Sequence, residues 1–433
     1  MSLFKISLTK DFLVLKALIA AIYIALEIYY YNLISVTYEY MGFKHDFNLN
    51  NYVLTKIVFL ILLALSFTIY KRSTFLYTIY LLLIFLFYIP NAILFSFSNL
   101  AAGPFISNTF FVCVFLLTPY IKFPIPSILI PSKYKGITLI AISILLLIPI
   151  IATFKLNINL NNLFLSEIYE TREKFSKYLT GYLSYFYHFE AKTLIPVALV
   201  FFMIQKKPLF IGLFFLILIY LYVISGNKGV YFTAIIVISF YYIGKDYISK
   251  ISYFLLITLI LFALFPFIDH FIGAPKPILS GTFINRFLFI PALTTHFYFD
   301  FFNGHPFYFA ETHFLNMFSK SPYDMPVGFL ITKVYWGAPT AFASNGIVSD
   351  GFMNLGYWGV ALFSLIFSIL FSLFNSFNLH KGFYGIFFSY IYIFLSAPLL
   401  TCIITGGILI FIILCFTILN DEEKPTPTLP KGG

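Results

Sequence analysis

The chain has 433 residues, of which 61% are hydrophobic, 21% aromatic and only 10% charged, with a formal net charge of +10. That balance excludes a soluble protein. Apolar runs of about 20 residues, enough to cross a bilayer as a helix, recur along the whole chain, and they are continuous rather than alternating, which points to helices and away from a transmembrane barrel.

In chain order, a basic start (Lys5, Lys10) leads into a run over 12–34, too long for a signal-peptide core and therefore a retained anchor. Runs over 52–70, 75–95 (with Pro90-Asn91 as a kink), one ending near Tyr120, and 137–154 follow. The segment 155–189 is a polar loop. Beyond it come a run over 194–204 that begins as early as Tyr187, then 209–224, the tight turn Ser225-Gly-Asn-Lys-Gly229, and runs over 230–243 and 251–268. A long loop, 269–350, holds His270, His296, His305, His313, Arg286 and seven prolines. Runs over 352–374, 383–397 and 401–419 close the series, and the tail 421–433 is Pro-, Lys- and Glu-rich and expected to be disordered. The expected fold is an all-α polytopic membrane protein with about twelve spans in a single domain over 1–420.

An even number of spans puts both termini on one side. With that side inside, the cytoplasmic segments carry 15 Lys and Arg against 5 acids, and the outer segments 12 against 12. The bias in short loops agrees with cytoplasmic termini and two external loops, 155–189 and 269–350. The basic balance is therefore a topology signal, and no nucleic-acid partner is expected. The cysteines (Cys113, Cys402, Cys415) all lie in apolar runs and offer no disulfide framework or thiolate metal site.

Against 24 lysines there are three arginines. Arg72 is inner-side charge; Arg172 and Arg286 fall one in each external loop. A chain this biased toward Lys keeps Arg where a planar, bidentate donor is needed, and phosphate groups are the usual reason; the bland alternative is a surface charge or structural ion pair. Read as an amphipathic helix, 163–182 gathers Phe164, Ile168, Phe175, Leu179 and Tyr182 in a stripe about 60° wide, with Glu167, Glu170, Glu173, Lys174 and Lys177 opposite and Arg172 only about 20° beyond the stripe. Either Arg172 is aimed at what the stripe covers or it snorkels to lipid head groups.

Arg286 precedes an aromatic run, 287–302. A helix starting at Pro291 sets His296 and Asp300 at i and i+4, as a base and its orienter or as a satisfied structural pair. The histidine spacing contains no HExxH, and no metal is expected. Lys228 is a lone cation in an external turn. Glu27 is an acid inside the first span, a functional candidate or a snorkelling side chain. Asp350 precedes the glycine-containing stretch Gly351–Gly359, whose small residues permit close packing. The mid-membrane is otherwise nearly bare of charge, and no internal repeat or pair of interrupted helices is apparent, which disfavours a transporter.

Tyr169-Glu-Thr-Arg172, Ser225-Gly-Asn-Lys228-Gly229, Asn285-Arg286-Phe-Leu-Phe-Ile-Pro291, and Ser344-Asn345 with Asp350, Asn354-Leu-Gly356-Tyr-Trp-Gly359 come in that order on about twelve helices. In this the chain resembles the Wzy-type O-antigen and capsule repeat-unit polymerases, which share a fold with the O-antigen ligases. The resemblance implies metal- and cofactor-independent glycosyl transfer at the outer face of the bacterial cytoplasmic membrane. A glycan leaves its polyprenyl diphosphate carrier for a sugar hydroxyl of a second lipid-linked repeat unit. It implies that Arg172 and Arg286 hold the diphosphate. It puts Lys228 where the family has arginine and Ser344-Asn345 where ligases have His-Asn, which leaves His296 or Asp350 as the base. A chain-length regulator and a flippase are the partner proteins it implies, with the lipid-linked oligosaccharide as donor and acceptor. A ligase of the same fold, a lipid-linked oligosaccharide flippase and a non-enzymatic assembly subunit stay open as alternatives.

Overall fold

The structure, a computed structural model, describes residues 2–125, 130–155, 168–273, 277–311 and 320–420. The tail 421–433 and His313 lie outside the described residues. In chain order the helices are α1 (Phe12–Thr37), α2 (Leu49–Tyr70), α3 (Thr74–Phe97), α4 (Ala102–Tyr120), α5 (Ser132–Phe154), α6 (Ile168–Tyr178), α7 (Tyr182–Ile204) and α8 (Pro208–Ser225). They continue with α9 (Lys228–Tyr242), α10 (Tyr247–Ile272), α11 (Ser280–Phe289), α12 (Ile290–Phe301), α13 (Val327–Trp336), α14 (Ile347–Ser376), α15 (Tyr384–Ser396) and α16 (Leu399–Leu419).

Among the described residues there is no strand, and ten helices are long and apolar enough to cross a membrane. The chain is an all-α polytopic membrane protein. Two of the expected spans, at α9 and α15, are helical but only 15 and 13 residues long.

Local chemistry sets many of the helix ends. Asn48, Ser73 and Asp246 cap α2, α3 and α10, each side-chain oxygen accepting a backbone N–H of the first turn. Pro208 opens α8, and Gly226 closes it in the left-handed region with φ +61°. The glycine-containing stretch of α14 is not straight helix. Leu355 and Gly356 leave helical geometry, and Gly351 and Gly359 approach so closely that a Cβ on either would run into the other's backbone.

The chain packs as two compact units, Met1–Lys122, Asp246–Ser372 and Ile391–Leu399 forming the first, and Phe123–Lys245, Leu373–Tyr390 and Leu400–Gly433 the second. In the first, α3 is apolar on every face and buried along its whole length, against α2, α4 and α12 among others. Glu27 of α1 is not a snorkelling side chain. Its carboxylate meets Lys56 Nζ of α2 at 2.6 Å, and the same ammonium lies 3.4 Å from the centre of the Tyr23 ring. The pair satisfies two charges that the membrane would otherwise leave exposed to lipid.

In the second unit, two expectations are corrected. The amphipathic segment expected over 163–182 ends as α6 at Tyr178, and Gly181, with φ +55°, turns the chain into α7. Phe175 is buried as its stripe position requires, but Tyr182 falls beyond the turn and is 81% exposed. Helix α7 therefore starts earlier than Tyr187, and it carries His188, Glu190 and Lys192 into a span. The mid-membrane is not bare of charge. Packing of α7 against α5 lets Ser143 hydrogen-bond Glu190, so a carboxyl that looks like loop chemistry is accommodated inside.

If the α1–α2 ion pair is structural, Lys56→Met leaves a buried carboxylate unpaired and lowers stability by about 3 kcal/mol. Adding Glu27→Gln recovers most of that loss, as read by thermal unfolding in detergent. Equal losses in the single and double variants would show that the two residues are not coupled.

Candidate functional site

Arg286 sits on α11, a ten-residue π-helix, a rare geometry often found at functional sites. Asp269, at the end of α10, holds the start of that helix. Its Oδ1 accepts the N–H groups of Ile278 (3.0 Å) and Leu279 (2.8 Å), and its Oδ2 accepts that of Ser280 (2.9 Å). A carboxylate on exposed helix N–H groups is a favourable cap, and here it fixes the helix that carries the arginine.

The exposed side chain of Arg286 lines a cavity of about 750 Å³ with Tyr38, Tyr40, Asn285, Trp336 and Phe342. Among the described residues that line it, Arg286 is the only charged one, and no carboxylate pairs with it. Asn285 Oδ1 is buried with no hydrogen-bond partner among the described residues. Gly281 lets the segment after α1 close over α11, since a Cβ there would run into the Tyr38 hydroxyl. Trp336 is fixed at the wall by its Nε1–H, which donates to the carbonyl of Met41 at 2.7 Å. Phe297 stacks on Tyr335 at 4.3 Å and 6° and meets Trp336 edge-on. One guanidinium within an aromatic wall is suited to an anionic group joined to a sugar.

The expected His296–Asp300 pair does not form. His296 points inward, only 6% exposed, and neither ring nitrogen has a hydrogen-bond partner among the described residues. Burial pushes its imidazole down to about 3, so it stays neutral and is a weak proton acceptor. Asp300, exposed on the same helix, accepts the Tyr335 hydroxyl at 2.6 Å instead. The proximity of the two residues in sequence is real, but α12 turns one to the core and the other outward.

Asp350 is also buried, and both of its oxygens are engaged. Oδ2 accepts the N–H of Leu399 at 2.8 Å and Oδ1 accepts Asn354 Nδ2 at 2.9 Å, while Asn354 Oδ1 accepts the N–H of Phe309 at 2.7 Å. This network ties the start of α14 to α16 and to the 307–309 segment, a scaffolding role for Asp350. Asn345 is buried with Nδ2 at 3.7 Å from Met353 Sδ, and Ser344 Oγ lies 3.4 Å from Thr294 Oγ1.

Arg172 and the Ser225–Gly229 turn, picked out separately in the sequence, come together in the second unit. Arg172 Nε donates to the carbonyl of Gly226 at 2.9 Å. Lys228, two residues further on, is the first residue of α9. A cation is disfavoured at a helix N-terminus unless an anion shares the place. The other charges of α6 are solvated, as expected, in the exposed pairs Glu170–Lys174 and Glu173–Lys177. Arg286 belongs to the first unit.

Two helix caps escape a reading of the sequence. One is the Asp269 cap. The other is Glu311, whose Oε1 accepts the N–H of Val327 at 2.5 Å and so caps α13, the helix that carries Tyr335 and Trp336. Burial raises the Glu311 carboxyl. Both caps act across 9 to 16 residues, a separation with no local spacing signal. His270 and His305 are exposed, and no group of three or more His, Cys, Asp or Glu residues that could hold a metal comes together among the described residues. Comparison with protein-family models, with curated proteins and with solved structures finds no match for this chain.

The scaffolding assignment of Asp350 predicts that Asp350→Asn lowers the unfolding temperature, because an amide cannot accept from both Leu399 and Asn354. The loss is about 1–3 kcal/mol. Unchanged stability with lost activity would return Asp350 to the chemistry.

Proposed function

We propose that the chain is a membrane glycosyltransferase that polymerises lipid-linked oligosaccharide repeat units on the outer face of a bacterial cytoplasmic membrane. The observation that carries this reading is the Arg286 cavity, in which one guanidinium faces an aromatic wall with no carboxylate among the described residues that line it. In this reading Arg286 binds the diphosphate of a polyprenyl-linked glycan and stabilises the charge that develops as the bond from the anomeric carbon to the diphosphate oxygen breaks. The acceptor sugar hydroxyl forms the new bond to that carbon and gives up its proton to a carboxylate. Arg172 and Lys228 supply a second cationic place, in the second unit.

A lipid-linked oligosaccharide flippase is the competing reading, and the charged residues inside α7 favour it more than the sequence does. The two differ in what the cell makes.

The test is the length distribution of surface polysaccharide in a deletion strain complemented with wild type, Arg286→Lys or Arg172→Lys. The deletion is expected to leave single capped repeat units and the wild type to restore the ladder. Lysine at 286 loses the planar, bidentate donor, and one charge-assisted hydrogen bond is worth about 1.5–3 kcal/mol, or about 10- to 100-fold in rate. A deletion strain with no surface glycan at all would favour the flippase, and a full ladder from both lysine variants would remove the role assigned to the arginines.

A further inference from the structure

Asn285 lines the Arg286 cavity with only 1% of its surface exposed. Its Oδ1 is buried and has no hydrogen-bond partner among the described residues. The Trp336 N–H at the same wall does not serve it, being committed to the Met41 carbonyl. An amide left unpaired in a protein interior destabilises the fold, and a ligand that pairs with it removes that cost.

The π-helix α11 is what sets Asn285 beside the arginine on one wall. The N–H of Ile290 donates to the carbonyl of Asn285, five residues back. With i→i+5 bonding, residues four and five apart fall on either side of one line along the helix. Gly281, Asn285, Arg286 and Ile290 are so related, and all four line the cavity. In an α-helix, Gly281 and Asn285 would share one face, and Arg286 and Ile290 another. Tyr38 closes over this row, its hydroxyl taking the space that a Cβ at Gly281 would need. Consecutive Cα atoms are about 3.8 Å apart, so a group held by Asn285 is joined closely to one held by Arg286.

The two side chains ask for different chemistry. A guanidinium takes an anion. An amide oxygen repels one and takes an N–H or O–H donor. We infer that Asn285 is a specificity-determining residue for the sugar joined to the diphosphate, accepting a hydrogen bond from the substituent on the ring carbon next to the anomeric carbon. This inference rests on the glycosyltransferase reading of the cavity. The diphosphate is bonded to the anomeric carbon, so the substituent beside it is the donor of the ring closest to what Arg286 holds. A hydroxyl or an acetamido N–H meets the requirement there; a deoxy carbon does not. Asn285 touches no bond that breaks. It selects the sugar whose donor relieves the unpaired amide, the arrangement by which a polar site rejects an analogue lacking one donor.

The test measures binding to the purified full chain in detergent by native mass spectrometry. The probes are farnesyl diphosphate without sugar and the same lipid carrying an acetamido hexose, the plain hexose, or the hexose made deoxy next to the anomeric carbon. Wild type is expected to bind the deoxy probe about tenfold more weakly than the better of the other two. Which of those two binds tighter tells acetamido from hydroxyl. Asn285→Leu is expected to bind all three glycosides alike and to leave the sugar-free probe within about threefold of wild type. It is also expected to unfold at the wild-type temperature or above, because an unpaired amide is replaced by an apolar group; Asn285→Ala is read in the same way if leucine does not fit. Wild type indifferent to the deoxy change overturns the inference while leaving the glycosyltransferase reading in place, and so does a sugar preference that survives in both variants. Wild type that binds no probe, with or without sugar, overturns both.

Discussion

A carboxylate taken out of water must find its hydrogen bonds or its countercharge where it lies, and this chain is arranged around that requirement. Glu27 finds Lys56 across α1 and α2. Asp350 spends both oxygens on Leu399 and Asn354. Asp269 and Glu311 take up the free N–H groups at the starts of α11 and α13. Those two caps matter most, because they hold the helices that present Arg286 and the aromatic wall of its cavity. Among the described residues, no carboxylate pairs with that guanidinium.

Much of the fold is legible in the sequence because length and apolarity alone place a helix in a membrane. The runs over 52–70 and 137–154 lie within α2 and α5, and the Arg172 segment does meet the Ser225–Gly229 turn. What the sequence hides is polar chemistry inside spans. Glu190 reads as part of a polar loop because His188, Glu190 and Lys192 lower the local hydropathy, yet packing against α5 draws them into α7. The start of a buried helix is set by what its neighbours can satisfy, and a single chain's periodicity does not report that.

Of the candidate site, only the placement of single residues was legible. The scarcity of arginine singles out Arg172 and Arg286 from composition alone, and the structure sets Arg286 on a cavity. Reading a His296–Asp300 pair from spacing fails. Residues at i and i+4 are neighbours on a helix, but whether both face the same surroundings depends on what packs on each side. His296 goes to the core and Asp300 to the outside, where the hydroxyl of Tyr335 meets it. The caps by Asp269 and Glu311 come from residues too distant along the chain for any local motif.

The central claim is that Arg286 recognises a lipid-linked diphosphate. The most direct measurement is binding of a polyprenyl diphosphate, and of the matching monophosphate, to the purified protein by native mass spectrometry, for wild type and Arg286→Lys. The account predicts that wild type prefers the diphosphate and that the lysine variant, with its charge kept but its planar fork lost, weakens that binding by about tenfold or more while binding of the monophosphate changes less. Equal binding of both lipids, or diphosphate binding unchanged by the substitution, would contradict it.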